Sequence, residues 1–262
     1  PVTCYPEVLS ALARPVLSDA DPAFRTFYTT TLDKLRRALP ARTVVILQGE
    51  PVLGLEAAAL SLVAPGDAVL NLASGVYGAG YSQWLSRNAG VMREVRTAFD
   101  AVIDPESVRQ ALLRHPETAV VAVCHHDTPS GTVNPLVEIG AVVREHGALL
   151  VVDAVSSWGG MEVDMVGWGI DLLITGSNKC LGCPPGLTLL GISPRAWEKM
   201  RANPASPRGS FLSILDWEGM EDPARAFPFS PSVAEVHGLA AGLDRYLAEG
   251  PRAVWALSLI HI

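Results

Sequence analysis

Residues 171–186 read DLLITGSNKCLGCPPG. An apolar run, Leu172 to Thr175, ends in Gly176-Ser177-Asn178 and then a single lysine, Lys179. Pro184, Pro185 and Gly186 follow within a few residues, so the run is a buried strand ending in a turn too crowded for a helix. A lysine just past such a strand is placed where its amine can lose its proton. Desolvation lowers a lysine pKa, and the neutral amine is the form that attacks a carbonyl to give a Schiff base. Taken alone, the stretch is equally compatible with a solvated loop lysine.

Outward from it the same pattern recurs. Apolar runs of four to six residues stand at Val44–Leu47, Ala68–Leu72, Val120–Cys124, Leu149–Val152, Leu172–Thr175 and Leu187–Ile192. Helical spacing fills Leu53–Val63, Gly80–Asn88, Pro105–Leu113 and Leu136–Glu145, the last closing on Gly147 as a C-terminal cap. Continuous rather than alternating apolar strands are buried on both faces, as in a mostly parallel sheet covered by helices. The fold class is therefore α/β and doubly wound. Before it, Pro1–Pro40 holds a loop and an amphipathic helix with Phe24, Phe27, Tyr28, Leu32, Leu35 and Leu39 on one face. Thr3 is a candidate N-cap for an earlier helix, with Pro6 in its first turn. Asn203–Pro231, rich in proline and aromatic residues, is expected to be irregular, and helical spacing resumes over Ser232–Leu247.

Composition narrows the function classes. The chain has 262 residues, 49% apolar and 18% charged, which is enough for one large domain or two small ones with a substantial core. A net charge of −7 without a basic block argues against nucleic acid as the partner. No apolar run reaches the roughly 18 residues that a membrane span requires. Of the four cysteines, Cys180 and Cys183 form a CxxC, but no second such pair or His pair stands at metal spacing. Packing is their default role, and no metal is expected. Few cysteines and no signal-peptide pattern lead to an expectation of a reducing cytoplasm.

Sheets of this kind bind ligands outside the carboxyl ends of their strands. Those ends carry Gln48-Gly49-Glu50-Pro51, then Ser74-Gly75-Val76-Tyr77, then His125-His126-Asp127-Thr128, then Asp153 with Ser156 just beyond, then Asn178-Lys179. An aldehyde of the pyridoxal type needs a lysine, a carboxylate against its pyridine nitrogen, a flat group to stack on its ring and a donor near its ring hydroxyl. Lys179, Asp153, Tyr77 and Thr128 can supply the four. A carboxylate at the end of an apolar strand is costly unless a cation meets it. Blander roles stay open at this point. Asp153 could cap the next helix, Tyr77 could be a rim aromatic, Thr128 could be turn chemistry, and His125 and His126 could be structural.

The segment VVDAVSSWGGMEVD followed by DLLITGSNKCLGCPPGL resembles the class V aminotransferases of the fold-type I pyridoxal-phosphate enzymes. The resemblance covers residues 1 to about 256. It implies a large catalytic domain over residues 41–256 with a mostly parallel seven-stranded sheet and helices on both faces, after an N-terminal segment over 1–40. It implies Lys179 as the Schiff-base lysine, Asp153 as the pyridine-nitrogen partner, Tyr77 as the stacking ring and Thr128 as the ring-contacting hydroxyl, with Gly75, Val76 and Ser156 beside them. It also implies a homodimer or higher homo-oligomer with sites at the interface. Within the family, the runs GEPVLGLEAA, LNLASGVYG, VCHHDTPSGT and NKCLGCPPGLT are similar to members that take a vitamin B6 compound without phosphate as substrate. Those members move the amino group of pyridoxamine to pyruvate, with no permanently bound cofactor.

The residues support that variant by themselves. In phosphate-using relatives the turn after the first strand is small and glycine-rich, and its N–H groups meet the phosphate. Here the turn is Gly49-Glu50-Pro51. Pro51 has no N–H to donate, and Glu50 adds a negative charge where a dianion would sit. Two unit charges about 4 Å apart repel by roughly 4 kcal/mol at an effective dielectric near 20. A carboxylate there suits a neutral hydroxymethyl group instead, unless Glu50 points to solvent and caps the helix. Asn178 stands where relatives carry a longer glutamine. Phe229 and Ser230 stand where relatives present phosphate-binding Tyr and Thr from the neighbouring subunit. The alternative is a pyridoxal 5'-phosphate-dependent class V aminotransferase such as a serine or alanine–glyoxylate enzyme. Two further expectations concern the ends. Pro1 need not be a native start. Leu257–Ile262 is expected to be a non-native tail, with the family's C-terminal small domain, and its carboxylate-gripping arginine, lying beyond this chain.

Overall fold

The computed structural model describes residues 2–260. In chain order the elements are α1 (Pro6–Leu12), α2 (Pro22–Ala38), β1 (Thr43–Gln48), α3 (Pro51–Leu62), β2 (Ala68–Ala73), α4 (Gly75–Gly80), α5 (Ser82–Leu85), β3 (Val91–Arg96), α6 (Pro105–Arg114) and β4 (Thr118–Cys124). There follow β5 (His126–Asp127), β6 (Thr132–Val133), α7 (Leu136–His146), β7 (Leu149–Asp153), β8 (Leu172–Gly176), β9 (Leu187–Ile192), α8 (Pro194–Ala202), α9 (Val233–Glu249) and α10 (Pro251–Ile260).

Seven strands form one sheet in the order β1-β9-β8-β7-β4-β2-β3. The pairs β2/β3, β2/β4, β4/β7 and β7/β8 are parallel, and β9 is antiparallel to both its neighbours, so it alone runs against the rest. Every residue of β2, β7, β8 and β9 is buried, which requires cover on both faces. The expected mostly parallel seven-stranded sheet is thus present, and its core is one continuous cluster running from Val8 through the strands to Tyr246.

The sheet's direction matters for function. The carboxyl ends of β1, β2, β4, β7 and β8 come to one edge, where β9 begins. Register fixes neighbours there: Cys124 lies beside Asp153, Asp153 beside Ile174, and Gln48 beside Leu187.

Several local expectations need correction. Residues 91–96, VMREVR, form a seventh strand at the sheet edge although three of the six are charged. An edge strand pairs on one side only, and charge there blocks further pairing. Gly80–Asn88 is not one helix but α4 and α5, separated at Tyr81. Helix α1 starts at Pro6 with Tyr5 as its N-cap and no side-chain bond, so Thr3 does not cap it. Helix α3 starts two residues earlier than its periodicity suggests, because Pro51 is preorganised for the first helical position. Gly147 does close α7, at φ +91°. Asn203–Pro231 is irregular apart from a 3-10 turn at Leu215–Trp217. Helix α10 runs through Ile260; His261 and Ile262 of the expected non-native tail lie outside the described residues. Among the described residues no helix is long and apolar enough to cross a membrane.

Candidate active site

At the carboxyl edge of the sheet lies a cleft of about 260 Å³ whose wall includes Glu50, Tyr77, His126, Asp153, Asn178 and Lys179. The six come from five segments, Asn178 and Lys179 being neighbours in one loop, and each position has a local cause.

Asp153 ends β7 with its side chain buried, and its Oδ1 accepts the Val155 N–H at 3.0 Å. It holds a turn rather than a helix, so the capping role is only partial. Burial pushes its carboxyl up to about 6; the Val155 N–H opposes this, Asp127 adds to it, and Cys124 and Lys179 oppose it. A carboxyl held in that state gains most from a cation placed against it.

Lys179 sits half-buried in a loop closed by its own backbone. Its carbonyl accepts from Gly182 N–H at 2.9 Å, and Ser177 O accepts from Cys183 N–H at 3.1 Å. Gly182 has φ +62°, and a Cβ there would come within 2.5 Å of the Tyr5 ring, so glycine is required where the N-terminal segment crosses the lysine loop. Cys180 and Cys183 pack beside Gly160 and Gly242, and burial pushes the Cys183 thiol up to about 12. Lys179 also borders a second cleft, of about 360 Å³, with Tyr5, Arg245 and Tyr246.

The Glu50-Pro51 turn opens α3. Glu50 takes the N-cap position through its backbone, but its side chain makes no capping bond and stands exposed on the cleft rim. Pro51, the first helical residue, presents no N–H. Thr188 on β9 fixes the turn: its hydroxyl donates to Gly49 O at 3.0 Å or Glu50 O at 3.1 Å. Asn178 is buried, and its Oδ1 has no donor among the described residues. Pro51 thus takes one N–H out of the first turn of α3, and Glu50 adds a carboxylate beside it. The acceptors of Glu50 and Asn178 call for a neutral donor such as a hydroxymethyl group, while Lys179, Asp153 and Tyr77 fit an aromatic aldehyde or amine with a ring nitrogen.

Residues 18–257 match the family model described as aminotransferase class V. The chain belongs to the class V aminotransferases. It is 56% identical over 257 residues, 98% of its length, to a pyridoxamine–pyruvate transaminase of Mesorhizobium japonicum, of which it spans 65%. The crystal structure of pyridoxamine-pyruvate aminotransferase from Mesorhizobium loti superposes with a TM-score of 0.96 at 56% identity, over 98% of this chain and 66% of that one. Ureidoglycine-glyoxylate aminotransferase from Bacillus subtilis gives 0.92 at 28% identity, over 98% and 66%. The chain therefore spans about two thirds of the length of these class V relatives.

Within this class V site the other sequence-named residues are placed unevenly. Tyr77 projects from α4, half-exposed, on the cleft wall. Ser156 lines the cleft, and Thr128 is exposed just behind it, donating to Ser156 Oγ at 2.8 Å. Gly75 and Val76 precede Tyr77 but are not lining residues. Phe229 and Ser230 are not in this chain's cleft either. Phe229 packs against Phe211 and Trp217 with ring centroids 4.3 and 5.2 Å apart, and the Ser230 hydroxyl donates to Asp19 at 2.9 Å. His126 lines the cleft, whereas His125 is buried against Trp168 and held neutral, its proton affinity lowered by burial to about 4.

Two residues at the site carry no role in the sequence reading. Cys124 lines the cleft beside Asp153, and Asp127 lies fully buried behind Tyr77. The only sequence signal for Asp127 is its place in the run after β4, where Asp-Thr-Pro reads as ordinary turn chemistry.

Proposed function

We propose that the protein is a transaminase that moves the amino group of pyridoxamine to pyruvate, giving pyridoxal and alanine, in the degradation of vitamin B6. The observation that carries this reading is the Glu50-Pro51 turn at the head of α3, facing Lys179 and Asp153 across one cleft. It sets a carboxylate, and one N–H fewer, where a phosphate-bearing ligand needs donors. The Mesorhizobium relative bears the name of this activity, which supports the same reading.

The B6 compound is then substrate, with none permanently bound. Asp153 meets its ring nitrogen and holds the proton there. Tyr77 stacks on its ring, Thr128 and Ser156 face its ring hydroxyl, and Glu50 and Asn178 accept from its hydroxymethyl group. Gly75 and Val76 shape the turn that presents Tyr77. At the end of a turnover Lys179 Nζ displaces the nitrogen of alanine from the ring-bearing carbon, and water then takes the place of Lys179 to release pyridoxal. Released, the amine carries a proton from the carbon that gives up nitrogen to the carbon that receives it. We place Phe229 and Ser230 at a neighbouring subunit's site in a homodimer. The exposed Phe211 on which Phe229 packs supports a buried contact there. A cytoplasmic setting agrees with four unpaired cysteines. The large domain of the proposal spans residues 41–256.

The test is competitive trapping. The chain is mixed with equal pyridoxal and pyridoxal phosphate, reduced with borohydride and digested. A pyridoxyl mass on the peptide holding Lys179, in excess over the phosphorylated form, is expected. Excess of the phosphorylated form would make the protein a pyridoxal 5'-phosphate-dependent aminotransferase and overturn the Glu50-Pro51 argument.

A further inference from the structure

Asp127 is a carboxylate with no exposure to solvent and, among the described residues, no ion pair. Its compensation is entirely by hydrogen bonds. Oδ2 accepts the backbone N–H of Tyr77 at 2.6 Å. Oδ1 accepts the Ser130 N–H at 3.2 Å and the Ser130 hydroxyl at 3.1 Å. A bond of 2.6 Å from an amide to a carboxylate is short even for a charge-assisted pair. The backbone is shaped to admit it: Gly75 has φ +60°, and a Cβ on it would stand 2.2 Å from the Asp127 carboxyl carbon. The turn that presents the stacking ring and the hairpin that holds the carboxylate are thus built around one another.

We infer that Asp127 is a positioning residue for the B6 ring, anchoring Tyr77 by its backbone. The inference rests on the proposed B6 chemistry for its purpose, and on the hydrogen bonds and burial above for its geometry. A merely structural Asp127 would need only the Ser130 bonds that close the β5–β6 hairpin. The Tyr77 bond lies outside that hairpin and ends on the residue that faces the ligand. The carboxylate also acts in a useful direction, since a negative group near Asp153 favours a protonated ring nitrogen against Asp153. It also raises the proton affinities of Asp153 and of the Cys124 thiol. The titratable groups gathered about Asp153 are Cys124 from β4, His126 and Asp127 from β5, Tyr77 on α4, Tyr81 after it, Lys179 after β8 and Glu50 at the head of α3.

The experiment uses Asp127→Asn in the full chain, which keeps shape and one acceptor and removes the charge. Two readouts need no ligand: hydrogen exchange of the Tyr77 amide, and the titration of Asp153 followed by carboxyl-carbon NMR. Exchange at Tyr77 is expected to quicken by about tenfold or more (about 1.4 kcal/mol). Asp153 is expected to titrate at lower pH. Pyridoxamine binding, read by its fluorescence, is expected to weaken by about tenfold. A folded variant with Tyr77 exchange and Asp153 titration unchanged would overturn the inference. Should Asp127→Asn not fold, Ser130→Ala, which removes one donor to the same carboxylate, is read by the same two signals, with faster Tyr77 exchange expected and no change overturning the inference. If the unsubstituted chain binds no B6 compound, the proposed function fails by itself, while the two ligand-free readouts still decide the role of Asp127.

Discussion

The backbone N–H of His125 donates to the carbonyl of Asp153 at 2.9 Å, so two buried titratable residues with opposite shifts are tied across adjacent strands. Asp153 is raised to about 6 and His125 lowered to about 4, each chiefly by burial. A raised carboxyl contributes stability present below its unfolded value near 3.8 and lost as pH rises through about 6. A depressed histidine contributes stability present above its unfolded value near 6.5 and lost as pH falls through about 4. The two oppose each other over the same window. Asp153→Asn is therefore expected to make stability rise more steeply with pH between about 4 and 6, by up to about 1.4 kcal/mol per pH unit. His125→Gln is expected to tilt it the other way. Urea unfolding at three pH values checks both, and parallel slopes for the two variants would contradict the account.

The lysine loop makes a second case. Gly182 holds φ +62° with the Tyr5 ring packed over its Cα. Gly182→Ala forces a left-handed alanine, a strain of about 1–3 kcal/mol, and also drives a methyl into Tyr5. The expected result is a loss of stability in that range together with release of the N-terminal segment, since Tyr5 N–H is bonded to Gly182 O at 3.3 Å. Limited proteolysis near residues 2–5 would show the release. A resistant N-terminus would mean that the segment is held chiefly by Arg245, which stacks on Tyr5 at 3.9 Å.

How much of this was legible in the sequence follows from what kind of force fixes each part. The six apolar strands and Lys179 at the end of β8 were readable because burial on both faces leaves a continuous run of Val, Leu and Ile. The charged β3 was not, because an edge strand takes its structure from its partner β2 rather than from its own pattern. That Asp153 and Glu50 come to one cleft was readable because a charge beside an apolar run stands at a strand's carboxyl end. Asp127 was not, because its reason is the N–H of Tyr77, 50 residues away, and only the fold brings the two together. The split of Gly80–Asn88 was missed for a similar cause. Asn71 pins the Gly78 carbonyl at 2.9 Å and shortens α4 from outside the helix.

The Thr188 hydroxyl helps hold the Gly49-Glu50 turn, together with the Gly49 N–H bond to Gly186 O at 2.7 Å, and Gly54 on α3 leaves room for it: a Cβ on Gly54 would lie 2.3 Å from Thr188 Cγ2. Gly54→Ala gains about 1 kcal/mol of helix propensity but overpacks a buried contact at about 1–3 kcal/mol, so a net loss of stability is expected. Thr188→Val keeps the shape and loses the hydroxyl. It is expected to cost about 1 kcal/mol and to blunt discrimination between pyridoxal and its phosphate in the trapping assay. Unchanged discrimination would show that Pro51 and the Gly49–Gly186 backbone bond keep the turn in position without the hydroxyl.

The turn itself can be reversed. Glu50→Ser with Pro51→Gly removes the rim carboxylate and restores an N–H at the first position of α3, the arrangement that receives anions at helix N-termini. Glu50 is exposed, so the repulsion it exerts on a phosphate is nearer the 1 kcal/mol expected in water than the 4 kcal/mol expected at low dielectric. Adding one amide donor contributes a similar amount. Together they are expected to shift the trapping ratio toward pyridoxal phosphate by at least about fivefold. Each single substitution should move it part of the way, because the charge and the missing N–H act on the same group by separate means. A ratio that moves with Pro51→Gly and not with Glu50→Ser would mean that donor geometry alone excludes the phosphate. The Glu50 carboxylate would then be left to read the hydroxymethyl group, and its loss should weaken pyridoxamine binding without favouring the phosphorylated form.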